Sequence, residues 1–118
     1  MPNSNRAQAL QAEIEAYRGE FCANAAKEFE CLSSALEVVK AAGRDGADED
    51  TLFELQRRAH KLAGRGGTFG YHDLSSTART LEVEMDRAIR SSEPMTPSGL
   101  ERISGMIDAV GAAVRSLS

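Results

Sequence analysis

The sequence predicts an all-α protein: an antiparallel up-down four-helix bundle with an additional N-terminal helix or helical extension. Three observations lead there. Apolar residues recur every three or four positions through four separate segments, and no stretch alternates convincingly with a period of two. The breaks between segments hold glycine and proline, which stop and start helices. The apolar content is Ala, Leu, Ile, Val and Met, with no Trp and 5% aromatic residues, a composition that suits packed helices better than strands. Four amphipathic stripes joined by short connections bury one another most directly in an up-down bundle.

Taken in order, residues 4–42 carry Leu10, Ile14, Tyr17, Phe21, Ala25, Phe29, Leu32, Leu36 and Val39 along one helical face. Gly19 is the expected break, leaving a short N-terminal helix leaning on the bundle and a main helix from about residue 20. Gly43 suits a left-handed helix end, and Asp48 or Asp50 can cap the next helix. This second helix is expected over 49–66, burying Leu52, Leu55, Ala59 and Leu62. Thr68-Phe69-Gly70 turns the chain into a third helix over 71–91, whose inward face is Leu74, Ala78, Leu81, Met85 and Ala88. After a connector over 91–95, Thr96-Pro97 is a strong helix start. The last helix buries Leu100, Ile103, Ile107, Val110, Val114 and Leu117.

Composition bounds the function. A chain of 118 residues is expected to form one domain over 1–118, with the bundle core over about 20–117. Hydrophobic residues at 42%, charged ones at 27% and only three prolines exclude a disordered chain. A net charge of −4 argues against a nucleic-acid binder. No apolar run approaches the ~18 residues of a membrane span, and no signal peptide is evident, so the chain is expected to be cytoplasmic. Cys22 and Cys31, about 180° apart on one helix, cannot pair with each other. Two cysteines and two histidines without ligand spacing give no metal site. A monomer is expected.

The stretch from Arg57 to Gly70 stands apart. It joins His60 to four cations and four glycines, and from Leu55 to His72 there is no acid, leaving ten cations against eighteen acids elsewhere. A glycine inside a helix costs on the order of 1 kcal/mol relative to alanine, so Gly64, Gly66 and Gly67 should answer a need for bare backbone beside His60. The buried stripe of this helix is centred about 120° from His60, so the imidazole leans out past the core edge. Gly64, Gly67 and Gln56 share its side, Arg57 and Lys61 flank it away from the core, and Phe53 lies nearly in line two turns earlier. Such an imidazole can reach into another protein's pocket as a nucleophile. Glu82, beside Leu81 on the third helix, is the candidate acceptor for one ring nitrogen; its plainer role is a surface carboxylate paired with Arg79. His72 reads as a surface residue.

His60-Lys61-Leu62-Ala63-Gly64, then Gly66-Gly67-Thr68-Phe69-Gly70 and the helical run from Leu74 to Glu82, resemble the signature of histidine-containing phosphotransfer (HPt) domains of two-component phosphorelays. About thirty contiguous residues carry the match. The resemblance implies the four-helix bundle, phosphorylation of His60 by an aspartyl phosphate on a response-regulator receiver domain, and onward transfer to a second receiver. It implies receiver domains and a hybrid histidine kinase as partners, a polar imidazole contact at Glu82, and no cofactor of the chain's own, since Mg²⁺ and most of the machinery belong to the receiver. The chain would be a phosphoryl-carrying intermediate rather than an enzyme. Phe53, Gln56, Arg57, Lys61, Gly64, Arg65 and Gly67 form the expected docking face, with the cations meeting a receiver's acidic rim. The sequence departs from many members at Ala63, where they have lysine. The competing reading is a helical adaptor that docks a receiver or kinase without accepting phosphate; a hydrolase is disfavoured because no paired carboxylates, Ser-His-Asp set or metal ligands converge on His60.

Overall fold

The computed structural model describes residues 2–42, 49–91 and 95–117, the side chains of 2–4 excepted. It contains α1 (Pro2–Ala42), α2 (Glu49–Thr68), α3 (His72–Arg90) and α4 (Pro97–Arg115), with no strand among the described residues. α1 packs on α2 and α4, α2 on α3, and α3 on α4, the closed ring of neighbours of an antiparallel four-helix bundle. The expected helix end at Gly43, a cap at Asp48 and the middle of the 91–95 connector lie outside the described residues.

The buried stripes match the periodicity closely. Phe21, Ala25, Leu32, Leu36 and Val39 from α1 meet Leu52, Leu55, Ala59 and Leu62 from α2, Leu74, Ala78, Leu81 and Met85 from α3, and Ile103, Ile107 and Val110 from α4. Ala88, Leu100, Val114 and Leu117 are half-buried at the margins. Ala63 and Gly66, outside the expected stripe of α2, are also buried. Thr96 caps α4, its hydroxyl accepting the Gly99 N–H at 3.0 Å, with Pro97 in the first turn.

Two expectations about α1 are corrected. It does not break at Gly19 but runs unbroken through 41 residues, because one glycine among good helix formers costs too little to end a helix. Nor does its N-terminal part lean on the bundle: residues 5–20 are exposed throughout. The molecule measures 66 × 21 × 20 Å, and the long dimension is the length of α1 itself, about 61 Å at 1.5 Å per residue.

α2 ends in a Schellman motif that aims α3 back along it. Gly70 has φ +83°, the left-handed conformation glycine adopts without strain. The Tyr71 N–H donates to the Gly66 carbonyl at 2.8 Å and the Gly70 N–H to the Gly67 carbonyl at 3.1 Å. Phe69 and Tyr71 then stack on Phe21 of α1, at 5.1 and 5.5 Å between centroids, which closes this end of the bundle.

α4 meets α1 closely at Gly111, where an added Cβ would stand 2.5 Å from Cζ of Phe29. Gly111→Ala should therefore lower stability by about 1–2 kcal/mol through overpacking, despite alanine's better helix propensity. Thermal unfolding checks this, and Phe29→Leu in the same chain should recover part of the loss.

Candidate functional site

His60 sits in the middle of α2, its side chain 71% exposed, while Ala59 and Leu62 beside it are buried. The helix beneath it is held on one flank by α1 and on the other by α3. On the α3 flank the contact is close. A Cβ at Gly66 would meet the Ser75 backbone nitrogen at 3.3 Å and the Tyr71 carbonyl oxygen at 3.5 Å. The Ser75 hydroxyl donates to the Ala63 carbonyl at 2.7 Å.

Across this seam, Glu82 of α3 reaches His60, with Oε2 2.5 Å from Nδ1. Side chains lean toward the N-terminus of their own helix. On two antiparallel helices the two therefore lean toward each other and bridge the offset between their Cα positions. Glu82 is 18% exposed and can only accept when ionised, so the short bond selects the tautomer with the proton on Nδ1. In that tautomer Nε2 carries the lone pair, and it makes no hydrogen bond among the described residues.

An open groove runs N-terminally from His60, lined by Asp50, Phe53, Glu54, Gln56, Arg57 and Glu82. Of the residues expected to dock a partner, Phe53, Gln56 and Arg57 thus share one groove with His60, and Phe53 is 47% exposed there. Lys61, Gly64, Arg65 and Gly67 lie outside it. The glycines divide by role. A Cβ at Gly64 would meet nothing within 4 Å, so bare backbone there serves no packing need and leaves the approach to His60 open; a Cβ at Gly67 would meet the Ser75 hydroxyl at 3.3 Å. Gly66, buried against the α3 backbone, thus belongs to the α2–α3 seam, whereas Gly67 is exposed at its edge. Ala63 is buried under the same seam, so no cation is brought to His60 from that position.

The basic island is broken up by acids from elsewhere. Arg58, on the flank away from His60, bonds Glu28 of α1 at 2.8 Å and Glu54 at 2.6 Å. Burial works against its charge, but the bonds to Glu28 and Glu54 more than offset this, and its pKa lies above the usual value. Arg57 bonds Glu54 at 2.6 Å. That hydrogen bond, helped by Arg58 against partial burial, holds the Glu54 carboxyl below its ordinary range. Lys61 and Arg65 are exposed and make no ion pair among the described residues. His72 opens α3, exposed and away from the groove.

A family model described as Hpt domain matches residues 6–113. The chain belongs to the Hpt domain family. It is also 30% identical over 70 residues to chemotaxis protein CheA of Halobacterium salinarum (strain ATCC 29341 / DSM 671 / R1), a match covering 59% of this chain and 10% of that protein. The chain thus spans about a tenth of the length of that relative. No solved structure gives a significant match.

Hpt domains are phosphocarrier modules, and membership supports a phosphotransfer-type role in two-component signalling. Among the described residues no helix is long and apolar enough to cross a membrane. The sequence reading of this Hpt domain missed Asp50 as a groove residue, taking it only for a cap. It also missed Glu54, although the spacing of Glu54 to Arg57 and Arg58 is that of helical ion pairs. Glu28 carries no comparable signal, since its partner is thirty residues away.

The His60–Glu82 bond generates a direct test. Nitrogen-15 NMR of the imidazole should find the proton on Nδ1 in the wild type. Glu82→Ala should remove that bias and mix the tautomers, with the helical content of the bundle unchanged.

Proposed function

We propose that this Hpt domain is a relay intermediate in which His60 takes a phosphoryl group from the aspartyl phosphate of one receiver domain and passes it to the aspartate of another. The observation that carries this is the exposed His60 with Nδ1 bonded to Glu82 and with no hydrogen bond at Nε2 among the described residues. In the forward step the Nε2 lone pair attacks phosphorus, the bond to the aspartyl oxygen breaks, and the carboxylate leaves with the electron pair. The imidazole gains positive charge as the N–P bond forms, and the Nδ1–H bond to Glu82 stabilises that charge. The second transfer is the same reaction reversed on a new carboxylate.

Phosphoryl transfer is catalysed mainly by positioning and charge neutralisation. Mg²⁺ bound by the receiver would supply most of the neutralisation, and the Hpt domain would act as carrier rather than catalyst, in the cytoplasm where receivers work. The groove containing Phe53, Gln56 and Arg57 would seat an apolar element of the receiver. Gly64 would let the receiver's backbone come close to the ring. Lys61 and Arg65, free of ion pairs among the described residues, would attract an acidic receiver rim, whereas Arg57 is partly neutralised by Glu54 and acts at shorter range.

Incubation with a phosphorylated receiver should move label to an acid-labile, base-stable adduct. His60→Gln should abolish the adduct with the fold intact, and His72→Gln should leave it unchanged. A fold-intact His60→Gln protein that still labels, or a wild type that binds the receiver without labelling, overturns the reading; the second outcome is the adaptor.

Removing the charges of Lys61 and Arg65 together should slow association several-fold at low salt, and the loss should shrink as salt shortens the Debye length below about 8 Å. The rate at saturating receiver should change much less. Stopped-flow transfer kinetics at several ionic strengths checks both.

A further inference from the structure

The N-terminal part of α1 carries an apolar stripe that no described residue of the chain covers. Leu10, Ile14 and Tyr17 are 57%, 39% and 56% exposed. With Ala7 before them and Phe21 after, they are spaced three, four, three and four, which are the a and d positions of a coiled-coil heptad. The stripe continues the face of α1 that turns Phe21 and Ala25 into the core. A single helix projecting about 30 Å beyond its bundle with such a seam is a half-built interface.

We propose that a second copy of this chain covers it, the two α1 extensions packing antiparallel. Sterics choose the direction. On the stripe's own side, Phe21 is already stacked with Phe69 and Tyr71, so the α2–α3 turn blocks any helix that runs past Tyr17 toward the bundle. A parallel partner must do that, because its own α1 continues into its own bundle. An antiparallel partner instead runs outward, with its bundle beyond the far end of this helix.

The register follows from the seam: Ala7 opposite Tyr17 of the second copy, Leu10 opposite Ile14, and the reciprocal pairs. Each extension then ends against the other bundle's α2–α3 turn. Charge agrees with this pairing. Arg6, Glu13 and Glu20 occupy one flank of the stripe at heptad spacing. Antiparallel packing sets Arg6 of each copy against Glu20 of the other and leaves Glu13 facing its counterpart at the two-fold axis, two attractive pairs against one repulsive. Two helices overlapping for about 25 Å bury on the order of 1,000 Å², the lower end for a specific interface. The dimer is therefore expected at the weak, transient end of specific interfaces. It leaves both His60 sites free, since the seam begins beyond the α2–α3 turn.

Sedimentation velocity of the full chain, from low micromolar to several hundred micromolar, should show a reversible monomer–dimer equilibrium. Small-angle scattering of the dimer should give a maximum dimension of roughly 100 Å, against 66 Å for one chain. Ile14→Glu should raise Kd at least tenfold while thermal unfolding of the bundle and labelling of His60 stay unchanged. Arg6→Glu should weaken the dimer several-fold, and Arg6→Glu with Glu20→Arg should restore it. A monomer at every concentration overturns the proposal and leaves the stripe to a different protein. So does a dimer no longer than the monomer, a dimer indifferent to Ile14→Glu, or a charge swap that fails to restore association.

Discussion

The close seam between α2 and α3 is the constraint on which the site depends. Gly66 allows the two backbones to approach to the distance of a single Cβ contact. The Schellman motif through Gly70 reverses the chain without a longer loop that could let α3 slide. Ser75 then fixes the height of α3 on α2 through the Ala63 carbonyl. Once that height is set, Glu82 has one position, and it is the position that reaches Nδ1 of His60. A side chain at position 66 or a shifted turn would leave His60 exposed but unoriented. The orientation of an exposed imidazole is thus a consequence of backbone packing one and a half turns away.

The electrostatics show the same dependence on neighbours. Four cations with no acid among them in the local sequence become two that are spoken for and two that are free of ion pairs among the described residues. Arg58 is drawn into a strap between α1 and α2, where Glu28 and Glu54 face it from two helices. Such a partly buried ion pair is weak evidence for net stability, since desolvation offsets much of its attraction, but it ties α1 to α2 at one height. The cost is visible in the Nε of Arg58, which is buried without a partner among the described residues. On the other edge of the bundle Glu84 performs the matching task, binding Arg87 of its own helix and Arg102 of α4. Its carboxyl is held low by the Arg87 hydrogen bond first and by Arg102 in addition, against partial burial. Ion pairs thus brace two of the four helix contacts, and the cations left exposed beside the imidazole are those the bundle does not need.

α1 links these local arrangements to the shape of the molecule. Its C-terminal half is an ordinary bundle member, whereas its N-terminal half extends the same apolar face into solvent with no helix opposite it among the described residues. Periodicity is blind to this difference. A stripe records that a face is to be covered, and not by which chain.

The bundle's helices, most of their buried faces and the exposed histidine were legible in the order of the residues. Those features depend on periods of three and four and on capping residues such as Thr96 and Gly70, all local in the chain. The resemblance around His60 was legible for the same reason, being contiguous. Packing in three dimensions settled what depends on distance through space. It assigned Gly66 to the α2–α3 contact, gave Arg58 to Glu28, brought Glu82 to Nδ1, and carried α1 past Gly19 unbroken. Each of these turns on the free energy of a pairing between residues far apart in sequence, or, at Gly19, on a local penalty of about 1 kcal/mol that is too small to break a helix already nucleated on both sides.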